Sequence, residues 1–202
     1  MAIVKATVDG RFNPAATLPY ELRLKDFESA IQDGYDLLFD INSALAVRGL
    51  RRLEDTVRPA VFSGVLSDTM ANSLARHSRV LTSNTFHNGH PDLVPEGVYP
   101  LNAVPAGTQG VEVKVTSGSG AVDTHGARNA WVCVFRYKTD RISEPANDRI
   151  ATTVTEVLLA ELELADYRSN ARGPLGTRTA SPNRGGLTKL RTNWVYRVTG
   201  NL

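Results

Sequence analysis

Three charged side chains in the middle of the chain have types and spacing that could do chemistry. Asp92 directly follows Pro91, and Glu112 and Lys114 lie two residues apart in the apolar stretch GVEVKVT. Residues two apart in a strand share a face, so Glu112 and Lys114 should project together, roughly 7 Å apart. Proline has no N–H to donate to a neighbouring strand, so Pro91 should lie at the start or edge of a strand. Asp92, the next residue, should then lie there too. If the two strands pair as a long-looped hairpin, the carboxylates converge beside Lys114.

Two converging carboxylates and a backbone carbonyl form a hard oxygen site that suits Mg²⁺, which keeps several waters. Such an ion lowers the pKa of a bound water and neutralises charge on a phosphate during in-line attack. Lys114 would hold the attacking water or stabilise the charge that builds on phosphorus. The alternative is a structural or partner-binding protein in which Glu-x-Lys lies on the solvated face of an edge strand.

The stretches HPDL and VEVK resemble the motif of the PD-(D/E)XK nuclease superfamily, which has the restriction-endonuclease-like fold. The resemblance covers about residues 63–138. It implies that Asp92 and Glu112 are ligands of a divalent metal, Mg²⁺ or Mn²⁺, and that Lys114 is a catalytic lysine in phosphodiester hydrolysis. The residues that carry it are Pro91, Asp92, Glu112, Val113 and Lys114.

Two other features of that family concern this chain. A helix precedes the first core strand and often lends another acid to the site, and Asp68 is the only carboxylate between Ser63 and Ser78. The resemblance therefore makes Asp68 the candidate for a further metal ligand. The family also usually places a helix after the Glu-x-Lys strand, where this chain has the short, glycine-rich SGSGAVDTHGARNA. That segment is either a loop that grips a phosphate backbone or a departure from the family fold.

The histidines His87 and His90 raise the question of zinc. They lack the second Cys or His pair of a structural zinc site, so that interpretation is rejected. For His90 a place beside a metal or a phosphate is the alternative, and plain loop polarity is preferred.

Positive charge is concentrated at the end of the chain. No acidic residue follows Asp166, so the segment after it carries +7 and the segment up to it −5, for a net charge of +2. Such an excess indicates a polyanionic partner more strongly than the overall charge does, and a solvated tail is the alternative of equal weight. If the chain is a nuclease, that partner is the DNA backbone. The segment RSNARGPLGTRTASPNRGGL has the composition of a flexible loop. The candidates for DNA backbone contacts are Arg178, Arg184, Lys189 and Arg191.

The composition is that of an ordinary globular protein, with 202 residues, 42% hydrophobic and 22% charged. The first residues lack the apolar region of a secretory signal, and no window approaches eighteen uninterrupted apolar residues. We therefore expect a cytoplasmic protein with no membrane span. Cys133 is the single cysteine, so no internal disulfide can form. It alternates with Trp131 and Phe135 in AWVCVFRY, which predicts a buried, inert thiol.

The elements that must position these residues follow from apolar periodicity. Apolar residues at steps of three and four predict one long helix from about Lys25 to Gly49 and another in SGVLSDTMANSLARHS. Between them, a short helix over 51–58 should stop ahead of Pro59. Residues 1–19 are predicted to be irregular. The predicted strands are RVLTSNTF, GVEVKVT, AWVCVFRYK, VTEVLLAELEL and NWVYRV.

Helices first and strands afterwards predict an α/β fold, and the resemblance implies a restriction-endonuclease-like mixed central sheet flanked by helices. We expect one domain over 1–202. Within it, 1–62 is an N-terminal helical part, 63–140 the catalytic core, and 141–202 the remaining strands and a basic C-terminal loop.

The function that these patterns predict is metal-dependent endonucleolytic hydrolysis of DNA. A homodimer would supply two sites, which is one way to cut both strands of a duplex. The alternative is a non-catalytic nucleic-acid-binding protein with the same fold.

Overall fold

The computed structural model describes residues 3–118, 122–124, 126–146, 149–169 and 179–199. None of the helices in these ranges is long and apolar enough to cross a lipid bilayer. The helices are α1 (Leu24–Val47), α2 (Leu53–Thr56), α3 (Pro59–His77) and α4 (Arg184–Thr192). The strands are β1 (Gly10–Phe12), β2 (Leu81–Ser83), β3 (Leu93–Pro95), β4 (Val111–Thr116), β5 (Ala130–Lys138), β6 (Thr153–Leu162), β7 (Tyr167–Ser169), β8 (Ala180–Pro182) and β9 (Trp194–Val198).

Seven of these strands form one mixed sheet in the order β1-β9-β6-β5-β4-β3-β2. Strands β4 and β5 are parallel, and every other neighbouring pair in this sheet is antiparallel. Strands β7 and β8 form a separate two-stranded sheet. The chain is therefore a mixed α/β protein with a central mixed sheet, as the order of predicted elements indicates.

Helices cover both faces of the sheet. Helices α1 and α3 bury their apolar stripes against one face, where Phe27 of α1 and Met70 of α3 lie in one core with Val113 and Phe135. Helix α4 contributes Leu190 to a second core on the opposite face. Alternation along β4 decides which side chains reach which face, because Val111 and Val113 point towards α1 and α3. Glu112 and Lys114 consequently belong to the face that carries α4.

The two long N-terminal helices approach each other closely at Gly34. A Cβ at this buried position would displace the terminal methyl of Met70. Gly34, which lowers the helix propensity of α1, is therefore explained by packing between α1 and α3.

The short helix expected over 51–58 is confirmed as α2, which ends three residues before Pro59. Pro59 itself occupies the first turn of α3, where its missing N–H costs nothing. Two other local expectations are wrong. Residues 1–19 are not all irregular, since β1 pairs with β9. The glycine-rich C-terminal segment is not a continuous loop, because its described part contains β8 and the start of α4. Asn183 caps α4 by accepting hydrogen bonds from the Gly185 and Gly186 amides at 2.8 and 3.1 Å.

Candidate active site

Asp92 lies at the point where the β3–β4 pairing ends. Leu93 is opposite Val111 in the antiparallel ladder, so Asp92 comes opposite Glu112. Its Oδ2 accepts a hydrogen bond from the Val113 N–H at 2.7 Å, which takes the place of a ladder partner. The predicted hairpin between the Asp92 strand and the Glu112 strand is thus confirmed.

Glu112 lies between two nitrogen-bearing side chains. The Lys114 amine is 2.6 Å from Glu112 Oε1. His90 Nδ1 is 3.2 Å from both carboxylate oxygens. All three side chains are largely withdrawn from solvent, with 9% of Glu112 and 17% of Lys114 and His90 exposed. The result is a tight group of opposite charges at the edge of the sheet.

His90 was expected to be an ordinary polar loop residue, whereas in the structure its ring contacts the Glu112 carboxylate. The signal that could have found it is its spacing. His90 is two residues before Asp92, and alternate residues of an extended chain project to the same side. Because Gly89 and Pro91 are typical of turns, the sequence did not indicate that the chain is extended from His90 to Asp92.

The two carboxylates differ in their affinity for protons. Burial, followed by the negative charge of Glu112, raises the pKa of Asp92 from 3.8 to about 6, with Lys114 and His90 offsetting part of the effect. Burial also raises the pKa of Glu112, but the charge and hydrogen bond of Lys114, with help from His90, outweigh it and leave that pKa lowered. Glu112 is therefore the permanent anion of the pair, and a cation between the two would favour ionisation of Asp92.

A stability measurement in metal-free buffer checks this assignment. Because its pKa is raised, Asp92 favours folding below pH 3.8, and that contribution is lost as the pH rises through about 6. Asp92→Asn should therefore be more stable than the native protein at pH 8 by on the order of 2 kcal/mol. The difference should shrink towards pH 4. Asp40→Asn, at an exposed position of α1, is the control, and an Asp92→Asn effect that is equal at both pH values would contradict the assignment.

Gly110 makes the close approach of β3 and β4 possible. It has a φ of +133°, a region that favours glycine, and its N–H donates to the Tyr20 hydroxyl at 2.8 Å. A Cβ at this position would collide with the Leu93 carbonyl oxygen and lie 2.6 Å from Pro91 Cγ. The residue before β4 therefore fixes how near Asp92 comes to Glu112.

A cavity adjoins Glu112. Beyond His90 and Glu112, its lining includes Thr124, Arg128 and Tyr167. Burial, together with the charges of Glu112 and Asp166, raises the pKa of Tyr167 to about 12, so its hydroxyl stays protonated. The cavity thus brings a neutral phenol and an arginine into the lining next to the carboxylate.

Asp68 is not part of this group of contacts. It lies exposed on α3, and α3 packs against the face of β4 opposite to Glu112 and Lys114. The preceding residue, Ser67, donates from its hydroxyl to the Val113 carbonyl at 3.5 Å. The role of Asp68 as a further metal ligand stays a prediction.

Helix α4 carries three of the predicted DNA-binding residues, on the same face of the sheet as Glu112 and Lys114. Arg184, Lys189 and Arg191 are exposed on α4, and Lys189 Nζ pairs with Asp166 Oδ2 at 2.6 Å. Arg178 lies outside the described residues. Their contacts with DNA also stay a prediction.

The donor set can be compared with what a divalent metal needs. In the described ranges, no three His, Cys, Asp or Glu side chains are grouped so that they could hold an ion. Mg²⁺ commonly binds through one or two carboxylates and retains waters, so a third such side chain is not required. Asp92 and Glu112 supply two hard oxygen ligands. The N–H of Val113 donates to Asp92, and the carbonyl of Val113 points to the same edge of the strand as that N–H. The two carboxylates and this carbonyl therefore fit Mg²⁺.

A comparison of the chain with models of known protein families, with curated proteins and with solved structures finds no match.

Proposed function

We propose that this chain is a Mg²⁺-dependent endodeoxyribonuclease with a restriction-endonuclease-like fold, related to the PD-(D/E)XK nucleases. One observation carries the proposal. The register of β3 with β4 brings Asp92 opposite Glu112, and the Lys114 amine is 2.6 Å from Glu112. Carboxylate, carboxylate and ammonium in one half-buried group are the functional groups that metal-assisted phosphodiester hydrolysis uses.

Asp92, Glu112 and the Val113 carbonyl would hold the metal ion. When bound, the ion supplies an activated water and neutralises charge on the phosphate. Lys114 donates hydrogen bonds from a site with 17% exposure, where an ammonium interacts with developing negative charge more strongly than in water. His90 contacts both oxygens of the Glu112 carboxylate, which helps to fix the orientation of that ligand.

Nicking of supercoiled plasmid DNA tests the proposal. We expect the native chain to convert supercoiled DNA to nicked or linear DNA when Mg²⁺ or Mn²⁺ is present. Chelation by EDTA should abolish the conversion, because it removes the ion that would activate the water and neutralise charge on the phosphate. A preparation that leaves plasmid intact with both ions, at high protein concentration, would refute hydrolysis.

A second function, DNA binding without cleavage, is favoured by a specific observation. Glu112 is already paired with the Lys114 ammonium and contacted by the His90 ring, so the protein itself supplies its partners. The same plasmid experiment distinguishes the two functions. Retarded migration of intact DNA, with no nicking in either metal, would support the binding protein.

A further inference from the structure

A row of charged side chains crosses the sheet on the face of Glu112 and Lys114. Thr116 of β4 is opposite Arg136 of β5. Arg136 is opposite Glu156 of β6, which is in turn opposite Arg197 of β9. Directly opposed residues share a face of the sheet, so this row belongs to the same face as the candidate active site.

Helix α4 covers only the apolar part of that face. Leu190 packs with Val132, Val134 and Leu158, which are all nearer the start of β5 or the end of β6 than the charged row. Beyond this contact an open groove runs from the end of β4 to β9. We call it the basic groove, and the residues that define it are Ser117, Gly118, Arg136, Lys138, Glu156 and Arg197.

The charges of the basic groove do not cancel. Glu156 accepts from Arg136 Nη1 at 3.1 Å and from Arg197 Nε at 2.9 Å, so one carboxylate lies between two guanidinium groups. Lys138 adds an exposed ammonium at the end of β5. Three cations against one anion leave a surplus of positive charge.

One arginine of the basic groove is also held in place by its neighbours. The Arg197 guanidinium lies 4.8 Å from the centroid of the Trp194 ring, and its Nε is held by Glu156. An arginine fixed in this way loses little conformational entropy when it binds an anion. The hydroxyl of Ser117 and the backbone near Gly118 add polar lining at the end that follows β4.

We propose that the basic groove binds the phosphate backbone of the DNA as it leaves the candidate active site, an inference that rests on the proposed function. Glu112 and Thr116 are four residues apart on β4, which corresponds to about 13 Å. Thr116 adjoins the near end of the groove, so at about 3.4 Å of duplex axis per nucleotide that end would meet phosphates about four nucleotides from the scissile bond. This surface lies on the sheet itself, whereas the sequence analysis placed the DNA contacts in the segment that contains α4.

The salt dependence of DNA binding tests the inference, measured by fluorescence anisotropy with a labelled duplex and with Ca²⁺ in place of Mg²⁺. Lys138→Ala should weaken binding several-fold near 0.1 M salt and reduce the slope of log K against log salt by about one. Adding Arg197→Gln should reduce the slope by about one more. The matched control is Lys25→Ala, since Lys25 is exposed on α1 behind the sheet.

Plasmid nicking by the same variants separates the groove from the chemistry. If the groove acts as proposed, Lys138→Ala raises KM for DNA and leaves kcat near the native value. Variants that bind and nick like Lys25→Ala would overturn the groove and leave the proposed function intact. Binding that depends on Lys138 without nicking would support the groove and overturn hydrolysis, and a native protein that neither binds nor nicks DNA would overturn both. Thermal melting of each variant checks that the fold is retained.

Discussion

Glu112→Gln is expected to lower the rate of Mg²⁺-dependent DNA nicking by about 10²-fold or more. The change keeps the shape of the side chain but removes the negative charge that would hold the metal. It also replaces the ion pair with Lys114, 2.6 Å long in the native chain, by a hydrogen bond to a neutral amide oxygen. The fold should survive, because the Lys114 charge also interacts with Asp92, which remains as its counterion. The measurement is the initial nicking rate over a range of Mg²⁺ concentrations.

Glu96→Gln is the matched control for this prediction. Glu96 is an exposed residue just beyond β3. Its substitution by glutamine therefore makes the same chemical change near the candidate site without altering that site. Native-like nicking by Glu96→Gln and loss by Glu112→Gln would assign the metal to the β3–β4 pair. Equal rates for native and Glu112→Gln would remove Glu112 from the chemistry.

Gly110→Ala is expected to destabilise the protein by on the order of 3 kcal/mol and to reduce nicking at temperatures where it is still folded. Two costs add. An alanine is strained at a φ of +133°, and its Cβ would press on the Leu93 carbonyl. Relief requires β3 to move away from β4, which separates Asp92 from Glu112. Chemical denaturation measures the free energy of unfolding, and the nicking rate measures the displacement of the site.

Gly64→Ala provides the opposite expectation. Gly64 is exposed within α3, and a Cβ there would meet no atom within 4 Å. Alanine in a helix interior is favoured over glycine, so this variant should gain roughly 0.5–1 kcal/mol. A Gly110→Ala protein as stable as Gly64→Ala would contradict the steric role that we assign to Gly110.

Local periodicity predicts the strands that build the centre of the sheet. AWVCVFRYK corresponds to β5 residue for residue, and the strand interpretation of VTEVLLAELEL is confirmed by β6. Both strands are long and alternate clearly, so the signal is contained in the segment itself. Helices α1 and α3 are predictable for the same reason.

Elements that depend on distant partners were missed. Strand β1 has three residues, and only its pairing with β9 makes it a strand. Helix α4 contains two glycines in its first turn and lacks the usual propensity, so its stability comes from the Asn183 cap and from Leu190 in the core. Neither contribution can be read from a composition rich in Gly, Pro and Ser.

The candidate site divides in a similar way. The proximity of Asp92, Glu112 and Lys114 could be predicted, because the proline and the period of two constrain where each side chain projects. The contact of His90 with Glu112 and the steric requirement at Gly110 could not, since both depend on how the long connection between β3 and β4 returns to the sheet. The charged row of the basic groove depends on the register of four strands, which no single segment encodes.

The burial of Cys133 has a practical consequence for labelling chemistry. This only cysteine of the chain lies in the core, where burial raises the pKa of its thiol and keeps it from reacting. A cysteine introduced at an exposed position would therefore be the single reactive thiol, available to a maleimide fluorophore or a spin probe without removing a native residue. Placed on the rim of the groove, such a reporter could follow the arrival of a nucleic acid strand in real time.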